Sequence, residues 1–264
     1  MSEPALSAGQ TAAGGTATGL PWRRILTRPA AVAVGLAVAF GIFLLLSGSP
    51  ADYEVLNGSS LVSSLLGHLL LSGVSFAVVV ATCVPLGILM GITGRGLRLV
   101  VFPLANLGQA VPGIGVLALL YAFLGIGVTP TIIALIAFSA LPVLRNTMVG
   151  VQGVDPAAVE AARGMGMTRW QALRRVQIPL ATPLIMSGLR TSLVLIIGTA
   201  TLGTYIGGGG LGDIINAGIN ISDRIVFVGA VMVAALALLA DWALSLVELA
   251  VTPVYLRTKV GRLT

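Results

Sequence analysis

Polar positions in this chain are few and clustered, and six long apolar runs lie between them. The first runs from Ala30 to Leu46, the second from about Leu65 to Ile92, and the third from about Leu99 to Leu124. The fourth starts at Thr129 and ends near Gly150, the fifth covers about Pro183 to Ile206, and the sixth about Ile225 to Val251. Continuous runs of this length predict helices that cross a membrane. Strands of a membrane barrel would instead alternate over about ten residues. The expected fold class is therefore an all-α, polytopic membrane bundle of about six transmembrane helices. Ser72, Gly73, Ser75 and Gly87 in the second run are the small residues that let helices approach closely in lipid. Pro103 and Pro112 interrupt the third run, which also carries Asn106 and Gln109. Together with Ser192 and Thr199 of the fifth run, these two polar residues are the candidate lining of a pathway.

The segments between the runs divide the chain further. Residues 1–28 begin rich in Ala, Gly, Ser and Thr and read as a disordered tail. Arg23, Arg24 and Arg28 then precede the first run in the manner of a signal peptide. That run is longer than a signal core, however, and no clear small-x-small site ends it before Asp52. An uncleaved first span is expected, so that residues 29–64 hold one helix and an external loop. Residues 65–250 hold the main bundle, and residues 251–264 a second tail.

Composition agrees. With 56% hydrophobic residues and a mean hydropathy of +1.02, the chain carries more apolar surface than a soluble domain can bury. The formal net charge of +6 changes meaning once the charges are located. The amino-terminal tail, the Arg95–Arg98 turn, a charged loop after the fourth run and the carboxyl-terminal segment hold nearly all the basic residues. The other face has Asp52, Glu54, Asp213 and Asp223, with Arg224 its lone basic residue. This asymmetry predicts both termini in the cytoplasm of a multi-pass protein. No aromatic-studded basic patch suggests nucleic acid. The single cysteine, Cys83, can form no intrachain disulfide, and no metal cluster is suggested.

The strongest local departure from this background is Glu160 to Pro179, EAARGMGMTRWQALRRVQIP. Glu160, Arg163, Arg169, Arg174 and Arg175 fall there, in a chain that is only 9% charged. Asp155-Pro156 supplies an N-cap and a first-turn proline. Ala157, Ala158, Ala161 and Ala162 favour helix, while Gly164 and Gly166 break it. A second short helix is expected from about Thr168 to Val176, stopping before Pro179.

Glu160-Ala161-Ala162, Gly166 and Pro179, with Val176 and Ile178 at the intervening apolar positions, resemble the EAA loop of permease subunits of ATP-binding-cassette importers. The resemblance extends over about residues 65–250, the membrane domain of a type I importer. Leu141 to Thr147 and Gly203 to Gly207 look most like the osmoprotectant branch, which imports glycine betaine, choline or carnitine. Permeases for methionine and other amino acids share several of these features. The resemblance implies that the loop is a coupling helix docking into a separate ATPase subunit. It makes Glu160, Ala161, Ala162, Arg163, Gly164, Gly166, Trp170 and Pro179 the candidate contact. It further implies two ATPase copies that carry ATP and Mg, a second permease (identical or paralogous) and an external substrate-binding protein. The setting would be a bacterial cytoplasmic membrane. Alternating access at the interface of two permeases would move the substrate.

Other features support sharper chemistry less well. Gly207 to Gly212 looks like a phosphate cradle, but the required Gly-Lys-Ser/Thr is missing and the sole lysine is Lys259. A turn with tight backbone packing is expected there, with a similar glycine stretch in the family. No bound cofactor and no catalytic residue are expected on this chain. His68 reads as an interfacial residue, since no second histidine could complete a metal site. Trp22, Trp170 and Trp242 read as interface anchors or packing residues. Charges within spans are costly unless paired or hydrated. Arg145 and Arg190 could snorkel to the interface, or either could pair with Asp241. Depth along the spans favours Arg190 as that partner, and a direct substrate role is the remaining option. Two other classes stay open, an ion-coupled secondary carrier and a membrane scaffold. Spans one to three lack the midplane ionisable groups that such carriers place there.

Overall fold

The structure, a computed structural model, describes residues 50–93 and 95–252, together with helical positions 34–35, 38–39 and 41–43. The expectations for the amino-terminal tail, Trp22, the complete first span and the carboxyl-terminal tail lie outside the described residues. Every regular element among the described residues is helical.

A short helix α1 (Pro50–Val55) precedes α2 (Gly58–Ile92), whose 35 residues span about 52 Å at 1.5 Å per residue. The polar residues from Gly58 to Ser64 are thus helical and not part of a loop. Asn57 caps α2 by accepting from the Ser60 N–H at 2.8 Å, and the helix runs on past the apolar segment. The third run proves to be two helices, α3 (Arg95–Ala110) and α4 (Gly113–Leu124), set at 103° to one another. Pro112 is the cause at the sequence level, because it cannot donate to the helix ladder. The fourth run is α5 (Val128–Gln152), which carries Pro142 in its interior. Among the described residues four helical stretches are long and apolar enough to cross a membrane, or five if the bent α3–α4 pair counts as one crossing.

The charged loop follows as α6 (Pro156–Gly164) and α7 (Arg169–Ala172). Contrary to expectation, the second short helix does not stop before Pro179. It passes through a π-helical turn, Leu173–Gln177, straight into α8 (Ile178–Ala200). In that wide turn the Ile178 N–H reaches back to the Leu173 carbonyl, five residues earlier. The missing proline donor and its ring clash are thereby absorbed without ending the helix. α8 closes with a 3₁₀ turn, Thr201–Ile206. The glycine-rich segment then leads into a helix the sequence did not advertise, α9 (Leu211–Ile219), and α10 (Asp223–Val251) completes the bundle.

The core lies where α2, α5 and α8 meet. Leu71, Val79, Met90, Leu135, Val143 and Ile196 are almost fully enclosed there. α2 and α5 run parallel, since Gly87 abuts Thr147 and Gly91 abuts Val151. α8 runs antiparallel to α5, with Gly188 against Asn146 and Gly150 against Ala181. A Cβ on Gly87 would lie 2.7 Å from that of Thr147, so the small residue sets the helix separation. His68 is not interfacial. It is wholly buried, its Nδ1 accepts from the Leu211 N–H at 3.3 Å, and its Nε2 donates to the Ile197 carbonyl at 3.0 Å. The ring pins the glycine-rich turn onto α2 and α8.

Candidate functional site

The loop between α5 and α8 is built from local capping chemistry. The Asp155 carboxylate accepts from the Ala157 N–H at 2.9 Å and starts α6. α6 ends in a left-handed cap at Gly166, whose φ is +86°. The Met167 N–H reaches the Ala162 carbonyl at 3.2 Å, and the Gly166 N–H the Arg163 carbonyl at 3.0 Å. That is the Schellman pattern with glycine at C′. Gly166, not Gly164, is therefore the residue that terminates the helix. Thr168 and Gln171 then form a reciprocal capping box, with bonds of 3.2 and 2.8 Å, and launch α7.

This scaffold buries little and presents much. Ala162, Ala172 and Leu173 are sealed inside, tying the two short helices to each other and to the bundle. Glu160, Ala161, Arg163, Gly164 and Gly166 are all exposed. So are Met165 at 73% and Trp170 at 61%, large apolar side chains on an otherwise polar protrusion. Arg174 stacks over the Trp170 ring at 5.7 Å. Glu160, Arg163, Gly166, Met167 and Thr168 line an open hollow beside the helix end. Pro179 is half-buried at the root of α8. Among the described residues, Glu160, Arg163, Arg169 and Arg175 make no ion pair. Such a surface, charged and apolar together, can bind a complementary protein.

A second charged group lies within the bundle. The Arg190 guanidinium donates to both oxygens of Asp241, at 2.7 and 2.8 Å, and from Nη1 to Glu248 at 3.3 Å. The side chains are each about one-fifth exposed, 24, 25 and 17%. Glu248 escaped the sequence reading although its position was informative. It lies seven residues after Asp241, two helical turns along the same face. Arg145 is exposed on α5 and takes no part in this group.

The four polar residues considered as pathway lining do not act together. Asn106 donates to Phe102 in its own helix, Gln109 to the Phe138 carbonyl on α5, and Thr199 to Leu195. Ser192 has no exposure at all and its hydroxyl meets no partner among the described residues. It lines no path within a single chain, because it sits in the packing between helices.

Residues 83–253 match the family described as the binding-protein-dependent transport system inner membrane component. The chain belongs to this family. Among inner membrane components of this kind, it is 41% identical over 209 residues to the carnitine transport permease protein OpuCD of Listeria monocytogenes. That alignment covers 77% of this chain and 92% of the relative. It is also 41% identical over 198 residues to the glycine betaine/carnitine/choline transport system permease protein OpuCB of Bacillus subtilis, with 75 and 91% covered. In three dimensions it is similar to a chain of the MetNI methionine ABC transporter in inward-facing form. There the TM-score is 0.66 and the identity 25%, over 73% of this chain and 96% of that one. The fold is thus that of an ABC permease. The exposed loop and the membrane-spanning bundle are parts of a transport subunit.

Proposed function

We propose that this inner membrane component is the permease of an ATP-driven importer for quaternary ammonium osmoprotectants, the class that includes glycine betaine, choline and carnitine. The observation that carries the proposal is the 41% identity to carnitine and choline permeases over three-quarters of the chain. In this scheme residues 65–250 form the transport unit. Energy enters at the loop, where Glu160 to Gly166 and Trp170 meet a separate ATPase that holds ATP and Mg. Two ATPase copies act on two permeases, and a binding protein delivers substrate from outside. The loop end of the bundle, the Arg95–Arg98 turn and both termini face the cytoplasm, and Asp213 to Asp223 face outward. The Lys/Arg asymmetry supports that orientation.

The direct test is uptake by proteoliposomes holding the permease, its ATPase and its binding protein. ATP-dependent accumulation of labelled carnitine, choline or glycine betaine is expected. Accumulation of methionine instead would favour the second reading, motivated by the likeness to the methionine transporter. Uptake driven by a sodium or proton gradient without ATP would overturn both. Orientation has its own check in a Cys83→Ser background. Impermeant thiol reagents added outside should label a cysteine at position 217 and not one at position 96.

A further inference from the structure

Positive charge near the membrane explains why an arginine stands in the Arg95–Arg98 turn, but not what Arg98 does there. Arg95 is exposed and makes no hydrogen bond among the described residues. Arg98 is half-buried and fully engaged. Its Nε donates to the Met90 carbonyl at 2.8 Å and its Nη2 to the Thr93 carbonyl at 2.9 Å. Both carbonyls belong to the end of α2, where helical partners run out. On the other side, the Gln152 amide, turned so that its oxygen faces the guanidinium, accepts from Nη1 at 2.9 Å and also from Nη2. Gln152 is the last residue of α5, and Asp155, which caps α6, follows three residues later. One side chain on α3 thus fastens the end of α2 to the root of the charged loop. A planar fork with several fixed donors can do this; a lysine ammonium, with a point charge on a flexible stem, cannot.

We propose that Arg98 is a positioning residue for energy coupling. Through Gln152 it transmits displacement of α6 to α2 and α3, neither of which adjoins the loop in sequence. The inference rests on the importer reading, in which the loop moves with the ATPase. The loop has two roots. The second continues through the π turn into α8, so α8 follows the loop directly. α5 carries the first root and already packs on α2, with Gly91 against Val151. The Arg98 clamp adds a directional polar tie that joins the ends of α2 and α3 to that root.

The test measures substrate molecules transported per ATP hydrolysed, in proteoliposomes, for Arg98→Lys, Gln152→Ala and the double variant. A helix-capping role alone would lower the amount of assembled protein and leave this ratio untouched. Transmission through the clamp should lower the ratio about fivefold in either single variant, the scale of one or two lost hydrogen bonds. The double variant should fall no further, because both changes cut the same link. Gln152→Glu, which keeps the acceptor, should retain the wild-type ratio. Should Arg98→Lys fail to assemble, exposed Gln152 still reports. An unchanged ratio in assembled Gln152→Ala protein overturns the proposal. A wild-type complex that hydrolyses ATP without any transport removes the importer reading instead, and is told apart by that control.

Discussion

Two groups of charged residues, one inside the bundle and one on the loop, have opposite relations to their surroundings. Arg190, Asp241 and Glu248 satisfy one another across α8 and α10, with four-fifths or so of each side chain shielded. Glu160, Arg163, Arg169 and Arg175 stand exposed without ion-pair partners among the described residues, beside two large apolar side chains, Met165 and Trp170. A charge in hydrocarbon must find its partner within the chain. A charge on a protruding helix can be left for another protein. If the loop is the ATPase contact proposed above, the first group concerns assembly and the second contact, and substitutions should divide along that line.

The largest effect should come from halving the inner group. Asp241→Asn or Arg190→Gln leaves a charge shielded and half-partnered, at a cost of about 2–3 kcal/mol once partial exposure is allowed for. The yield of assembled protein after a heat step measures it. Asp241→Asn combined with Arg190→Gln should recover part of the loss, and strictly additive losses would mean that the residues act independently.

Gly166→Val comes next and tests the loop. No neighbour lies within 4 Å of a Cβ there, so the expected penalty is conformational. It comes from holding a β-branched residue at φ +86°, on the order of 1–2 kcal/mol. Assembly should survive while transport per ATP falls, the reverse of the pattern at Asp241. Thr168→Ala removes half of the capping box and should loosen α7 by about 1 kcal/mol, detected as a modest loss of the same ratio. Arg145→Gln should be the mildest, within about 0.5 kcal/mol in stability, because that arginine is exposed and outside the ion group. A large effect there would blur the division.

The same division describes how much could be read from sequence. Loop chemistry is local, so the Asp155 cap, the glycine stop and Thr168 as a cap were all legible from residue types a few positions apart. The Arg190–Asp241 pairing was legible as well, because depth along two antiparallel spans narrows the choice of partner. What stayed hidden depended on neighbours far away in the chain. Pro112 signalled a break without its 103° angle. Pro179 looked like a stop until the π turn showed how a helix passes it. His68 looked interfacial because nothing local announces that Ile197 and Leu211 enclose it. Ser192 looked available because its burial is created by packing between helices.

The most direct test of the loop's role places a photo-crosslinker on its most exposed apolar residue. Met165→Cys, labelled with a benzophenone maleimide in a Cys83→Ser background, should attach to the ATPase subunit on illumination, with a yield that changes when ATP is added. The same label at Leu66→Cys, an exposed position of α2 at the end of the bundle remote from the loop, should attach to lipid or to other membrane chains only. Equal attachment from both positions, or none from Met165→Cys in a complex that still transports, would contradict the assignment of this loop as the point where the ATPase engages the permease.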